Sequence, residues 1–457
     1  MKKINNNIST IILLLAVLVT AGCKKFLDEK PFSSVDTPDT LPELQGLMDR
    51  YNRLNTTDYA SDEISADDYY LTSSDLQTQN EQHRRMYTWE KDNLFPNSAN
   101  DWSSPYSSVY YANAVLEAVG KIERNSKNEK EWNNIKGQAH FWRARNFFRV
   151  TSSWTLAYDK STSTVDLGIP LRLSTDFNLP TTRSTLQETY TQITQDLKDA
   201  LQLLDVTPKA PTRPSKPAAA GLLARVFLFM REYDSCSKYT NIALSYKSTL
   251  LNYNNSPEIK PSVTFPFQPF NTEVIFFSLV NTPSILLNSR AKVDSTLYNL
   301  FHVNDLRKTL FFRSNNNGTY GFRGGYDGNA GIFTGVCTDE LYLMKAETSA
   351  RLGKLDEAAN TLNSLLVTRW KTGTYIPYTF SSTQQALDII LTERRKQLQM
   401  RCLRWMDIKR LNKEGYNIRL NRIVNNQEFT LEPNSLRFAL PIPDDIINMT
   451  GIQQNPR

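Results

Sequence analysis

The sequence predicts a mainly α fold: a tetratricopeptide-like scaffold of antiparallel helical hairpins, interrupted by long loop-rich insertions and a few short strands. Three observations carry this. Apolar residues recur at spacings of three and four through much of the 457-residue chain. Two separate stretches repeat the layout helix, tight turn, helix, each with small residues where the helices must approach. The stretches between them are rich in Asp, Ser, Asn, Gly and aromatic residues and keep no helical period.

In chain order, Lys2 and Lys3 precede an apolar run from Ile8 to Val19, then Thr20-Ala21-Gly22 and Cys23. A positive start and an apolar run too short for a bilayer of about 30 Å are the marks of a secretory signal. Small residues directly before a cysteine suit a lipoprotein signal peptidase, so residues 1–22 are read as a lipoprotein signal and Cys23 as the lipid attachment point. No later apolar run approaches the roughly 18 residues a spanning helix needs. The mature chain is thus expected to be held to a membrane by acyl chains alone.

Helical hairpins follow. One joins a helix around Val109 to Ile122 with another around Trp132 to Trp154. Thr185-Leu186-Gln187-Glu188 is a capping box that opens an amphipathic helix with apolar positions at Leu186, Tyr190, Ile193, Leu197, Leu201 and Leu204. The proline-rich stretch from Asp205 to Pro217 ends it. Ala218 to Met230 and Cys236 to Leu244 form the next pair, with Ala224 and Ala243 at the contact. Leu341 to Leu352 and Glu357 to Val367 repeat it with Ala346 and Ala358, and Gly353 holds the turn position where the first pair has Arg231. The insertions are residues 55–107 and 248–340. Within the second, Ser314 to Gly335 carries seven glycines and the run Asn315-Asn316-Asn317, a composition expected to be loop throughout.

Residues 23–457 show no linker between independent cores and read as a single domain, with an N-terminal part to about 330 and a C-terminal part from about 331. The net charge of +6 falls by two when Lys2 and Lys3 are removed, too mild a balance for nucleic acid as a partner. Besides Cys23, only Cys236, Cys337 and Cys402 remain, with no CxxC spacing, so buried free thiols are expected rather than disulfides or zinc ligands.

Four segments, taken together, resemble the SusD/RagB family of Bacteroidetes outer-membrane proteins. They are Cys23-Lys24-Lys25-Phe26-Leu27-Asp28-Glu29-Lys30-Pro31; Lys136-Gly137-Gln138-Ala139-His140-Phe141-Trp142-Arg143-Ala144; Thr392-Glu393-Arg394-Arg395-Lys396-Gln397-Leu398 with Arg404-Trp405-Met406-Asp407-Ile408-Lys409-Arg410; and Leu440-Pro441-Ile442-Pro443 with Gln454-Asn455-Pro456. The chain departs at Met400-Arg401-Cys402, where many relatives carry Glu-Gly, a change expected to be structural. The resemblance implies a lipid-anchored protein of the outer membrane, exposed at the cell surface, that captures oligosaccharide, or peptide in other branches. It also implies that the ligand passes to a partner TonB-dependent β-barrel transporter of the SusC type, and that the protein has no catalytic activity of its own; a binding site of this kind requires no bound metal or organic cofactor.

Independent reading of the residues points away from common enzyme classes. His83, His140 and His302 are far apart, and HExxH, GxSxG, GxxxxGK[ST] and GxGxxG are all missing. A glycoside hydrolase needs only two well-spaced carboxylates, and Asp62, Glu63, Asp67 and Asp68 are the best local candidates. They are more simply read as solvated loop acids or an incidental cation site. The cluster Trp142, Arg143, Glu393, Arg394, Arg404 and Asp407 reads as helix packing and structural ion pairs. A pure protein scaffold is the remaining alternative.

Sugars present an apolar ring face rimmed by hydroxyls, so exposed aromatics beside Asn, Asp and Arg mark their sites. On that ground the ligand-binding candidates are Asp67, Tyr69, Tyr70 and Trp102 in the first insertion and Asn316, Tyr320, Arg323 and Tyr326 in the second. Trp89 is expected in the core.

Overall fold

Helix signals in the sequence translate directly into structure. A computed structural model describes residues 38–96 and 100–457, so the signal segment and Cys23 lie outside the described residues. The principal helices are α1 (Leu41–Met48), α2 (Ser103–Val119), α3 (Glu129–Trp154), α4 (Leu186–Leu203), α5 (Lys216–Met230), α6 (Tyr233–Tyr246), α7 (Thr338–Arg351), α8 (Leu355–Leu366), α9 (Thr383–Gln397), α10 (Arg404–Asn412) and α11 (Asp444–Thr450). From α2 to α8 each helix packs against the next, which makes a run of antiparallel hairpins, and α9 closes on α7. This is the predicted hairpin scaffold.

The capping box at Thr185 forms as expected. The Glu188 amide donates to Thr185 Oγ1 at 3.1 Å, and the Thr185 amide donates back to Glu188 Oε2 at 2.8 Å. Ala224, Ala243, Ala346 and Ala358 are all fully buried at the helix contacts. Gly353 takes φ +76° at its turn, and Arg231 takes φ +61° at the equivalent turn after α5. The departure from the repeat pattern is therefore one of residue type only, with the side chain bearing a left-handed strain that glycine escapes. Met400 and Cys402 are also left-handed, at φ +54° and +56°. The departure from the family motif thus stores strain of order 1–3 kcal/mol per residue.

The resemblance motifs hold the scaffold together. Arg394 Nε donates to Asp407 Oδ2 at 2.9 Å, tying α9 to α10. Arg410 grips Glu347 of α7 through Nη1 at 2.5 Å and Nη2 at 2.9 Å. In the closing segment, Gln454 exchanges two hydrogen bonds of 2.8 Å with the backbone of Ile442. Asn455 Nδ2 donates to the Trp154 carbonyl, and Trp154 Nε1 donates to the Pro441 carbonyl. That joins the last residues to the end of α3.

Among the described residues, ten short strands pair as five antiparallel two-stranded ribbons. They are β1 (Tyr69–Tyr70), β2 (Val274–Phe276), β3 (Leu279–Val280), β4 (Lys292–Val293), β5 (Phe312–Ser314), β6 (Tyr320–Phe322), β7 (Ile332–Phe333), β8 (Val336–Cys337), β9 (Leu420–Val424) and β10 (Gln427–Leu431). The glycine-rich stretch is accordingly not loop throughout. β5 and β6 form a hairpin around Asn315 to Thr319, with Ser314 opposite Tyr320, and β7 and β8 lie further on. Composition misled here because glycine serves close approach as well as turns. A Cβ on Gly335 would lie 1.9 Å from the Phe276 carbonyl oxygen, so β2 and β8 could not pair. Cys236, Cys337 and Cys402 are buried free thiols, and Trp89 is buried with Nε1 donating to the Ser65 carbonyl.

Candidate functional site

The pairing of β1 with β4 sets Tyr69 opposite Val293 and Tyr70 opposite Lys292, and β4 packs against β6. The two insertions singled out in the sequence therefore meet on one face. Most of the residues brought there are already engaged. Arg404 grips Asp67 through Nε at 2.7 Å and Nη2 at 3.0 Å. Burial alone would push Asp67 up, but Arg404 and Arg395 outweigh it and hold the carboxyl well below the usual range. Tyr69 is buried and its hydroxyl donates to the Ile64 carbonyl at 2.8 Å. Tyr326 is fully buried, donating to Glu273 Oε2 at 2.7 Å beside the Tyr253 hydroxyl. Arg323 spends its guanidinium on the carbonyls of Val263, Pro261 and Thr309. All four side chains are engaged with protein partners, which residue type in a polar insertion does not reveal.

Three others on this face stay accessible. Tyr70 is half-buried, Asn316 is exposed in the turn at φ +61°, and Tyr320 is half-buried and stacked on Tyr298 at 3.8 Å between centroids. The cavity between the insertions, lined by Asp68, Tyr69, Phe322 and Arg323, holds only about 30 Å³. That is room for a water molecule.

Of the four acids weighed as a glycosidase pair, three are not solvated and Asp67 is half-buried. Asp62, Glu63 and Asp68 are buried. Asp62 accepts from Arg149 at 2.8 Å, Glu63 from the Cys402 amide at 2.7 Å and Asp68 from Arg395 at 2.9 Å. Arg149, Arg395 and Arg404 thus hold Asp62, Asp68 and Asp67 in ion pairs, while Glu63 is held by a backbone amide. Among the described residues one histidine-carboxylate group has metal-ligand spacing: His140, Asp196 and Asp199. Arg143 already binds both oxygens of Asp196, at 2.8 and 2.7 Å, and its charge opposes a cation there.

A larger opening lies on the α2 side. This groove, of about 340 Å³, runs between α2, the segment 170–181 and α11, a volume within the range of small-ligand sites. Trp102 forms its buried base, in T-shaped contact with Trp154 and tilted contact with Tyr106. The Tyr106 hydroxyl donates to the Pro170 carbonyl at 2.9 Å and fixes the far wall. Asn113 Nδ2 donates to the Arg172 carbonyl at 2.9 Å, while its Oδ1 accepts from Arg143. At the mouth, Tyr110 and Phe177 stack at 5.2 Å with planes 20° apart. They remain 40% and 79% exposed, and Met449 of α11 is 79% exposed beside them. Of the predicted residues, only Trp102 reaches this groove. Tyr110, Phe177 and Met449 were missed. Phe177 does carry one signal, since it is a lone large apolar residue in the polar run Ser174 to Asn178.

The scaffold of helical hairpins thus presents an open aromatic groove on the α2 side. Residues 25–228 match a SusD-like family model described as "Starch-binding associating with outer membrane", and residues 338–457 match the SusD family model. The chain belongs to the SusD/RagB family. Solved structures agree in fold. A candidate sugar binding protein from Bacteroides vulgatus superposes with a TM-score of 0.76 at 21% identity, covering 92% of this chain and 99% of that one. A SusD superfamily protein from Bacteroides thetaiotaomicron gives 0.75 at 23%, covering 92% and 100%. A SusD-like carbohydrate binding protein from Bacteroides vulgatus gives 0.67 at 20%, covering 91% and 97%. No curated protein matches the chain. Among the described residues no helix is long and apolar enough to cross a membrane.

Proposed function

We propose that this protein is a lipid-anchored outer-membrane lipoprotein that captures oligosaccharide at the cell surface and delivers it to a partner TonB-dependent transporter. It binds and does not catalyse. Cys23 carries the acyl chains, by the signal in the sequence, and the family descriptions of starch binding and outer-membrane association support the setting.

The observation that carries the reading is the exposed Tyr110–Phe177 platform over a groove of about 340 Å³. Aromatic faces of this kind accept the C–H face of a pyranose ring, and covering them removes apolar area from water. Trp102 acts from beneath by holding Tyr106 in place, while Tyr70, Asn316 and Tyr320 form a secondary contact face. Affinity electrophoresis against a panel of polysaccharides tests this. At least one glycan retards the native protein, and Tyr110→Ala abolishes the retardation. Equal retardation of both proteins would remove the groove from the account.

A further inference from the structure

The wall of this groove carries positive charge that the protein does not neutralise. Arg172 lines the groove. Its Nη1 donates to the Leu179 carbonyl at 2.7 Å and to Thr181 Oγ1 at 3.3 Å, and its Nη2 donates to the Asp176 carbonyl at 2.6 Å. All three acceptors are neutral. No carboxylate among the described residues pairs with Arg172, and its Nε–H has no protein acceptor among them.

Arg183, on the strap behind the Tyr106 wall, is in the same position. It donates to the Gly168 and Gln453 carbonyls and to Asn455 Oδ1, again neutral acceptors. Burial pushes it down to about 10, opposed only by the Tyr106 hydroxyl. Glu117, one turn beyond Asn113 on α2, is engaged by Ser174 Oγ at 3.1 Å and by Thr175 through its amide at 2.8 Å and hydroxyl at 2.5 Å. The acid on this stretch of α2 thus holds the turn that carries Phe177.

A guanidinium with neutral partners and an unspent N–H, beside an aromatic platform, matches a ring that bears a carboxylate. The ring stacks, and the acid takes a charge-assisted hydrogen bond. We propose that the groove selects acidic saccharides of the hexuronate type over neutral ones, with Arg172 as the residue that receives the sugar carboxylate. The proposal rests on the glycan-binding reading above and names the ligand class of the same site.

The test titrates the full-length acylated protein, in detergent micelles, with oligogalacturonate, with its methyl ester and with neutral cello-oligosaccharides. The ester removes the ligand charge without altering the protein, so it is decisive even if Arg172→Gln disturbs the 172–181 turn. Oligogalacturonate is expected to bind at least tenfold more tightly than its ester. Arg172→Gln should erase that difference and Arg172→Lys retain part of it. If the ester or the neutral chains bind as tightly as the acid and Phe177→Ala weakens them, acid selection is overturned while glycan binding at the groove stands. If none of the three binds, the proposal falls, and the glycan-binding reading loses its support with it.

Discussion

Tyr110 of α2 and Phe177 of the 170–181 segment stack at 5.2 Å between ring centroids while both rings face solvent. Rings left open in this way give up the burial that stabilises other aromatics of the chain, at about 25 cal/mol per Å² of apolar surface. A ligand that covers them recovers that energy.

Because Phe177 is largely exposed, Phe177→Ala should leave the thermal unfolding midpoint unchanged and weaken glycan binding by about 1–2 kcal/mol. Tyr320→Ala should behave in the opposite way. It removes the stack on Tyr298, lowers stability by about 1 kcal/mol, and leaves most of the binding energy in place. Paired titration and thermal melts of the two variants check this, and reversed results would move the main contact to the insertion face.

The far wall of the groove depends on Gly168. A Cβ there would lie 2.2 Å from Thr189 Oγ1 and 2.4 Å from the Thr185 carbonyl oxygen. The Gly168 amide donates to the Ser184 carbonyl at 2.8 Å, which clamps this strap over the start of α4. Gly168→Ala should cost about 2 kcal/mol or more in a denaturant titration, by overpacking and loss of that clamp, and weaken glycan binding as the Pro170 wall moves.

Acid stability should reflect Glu347. Burial pushes its carboxyl up, but Arg410 and Arg351 outweigh burial and hold it at about 2, below its ordinary value of 4.5. The stabilisation is therefore complete above about pH 4.5 and is lost as pH falls from there toward 2. Glu347→Gln should cost about 3–5 kcal/mol at pH 7, because the buried Arg410 loses one of its two carboxylate partners and keeps only Asp407. The gap between variant and parent should narrow between pH 4.5 and pH 2. A gap that stays constant across that range would contradict the assignment.

Arg231 offers a stabilising change. Its backbone is left-handed at φ +61°, and its Nη1 is buried with no hydrogen-bond partner. Arg231→Gly relieves both and should raise the denaturation free energy by about 0.5–1 kcal/mol.

The scaffold was legible because helix periodicity, the Thr185–Glu188 box and the alanine contacts are local signals, each readable within a few residues. The groove was not. Tyr110 and Phe177 meet only through the fold, with the rest of α2, α3 and the segment after it between them in sequence, and no period links them. The burial of Tyr69 and Tyr326 in the insertions was illegible for the converse reason. Tyr69 and Tyr326 look available in a polar sequence, but each is turned inward, Tyr326 to the distant Glu273 and Tyr69 back to the nearby Ile64 carbonyl. Asp67 had its partner in plain view, since Arg404 lies in a motif already singled out, yet a contact 337 positions away leaves no local trace.

The most direct test of the capture-and-delivery role is purification of the full-length lipoprotein from detergent-solubilised outer membrane, with co-purifying proteins identified by mass. The account predicts a TonB-dependent β-barrel in near-equal amount, and loss of both from the membrane pull-down when Cys23→Ala removes the anchor from the bait. An intact, folded lipoprotein that brings no barrel with it would contradict delivery and leave an independent surface binder.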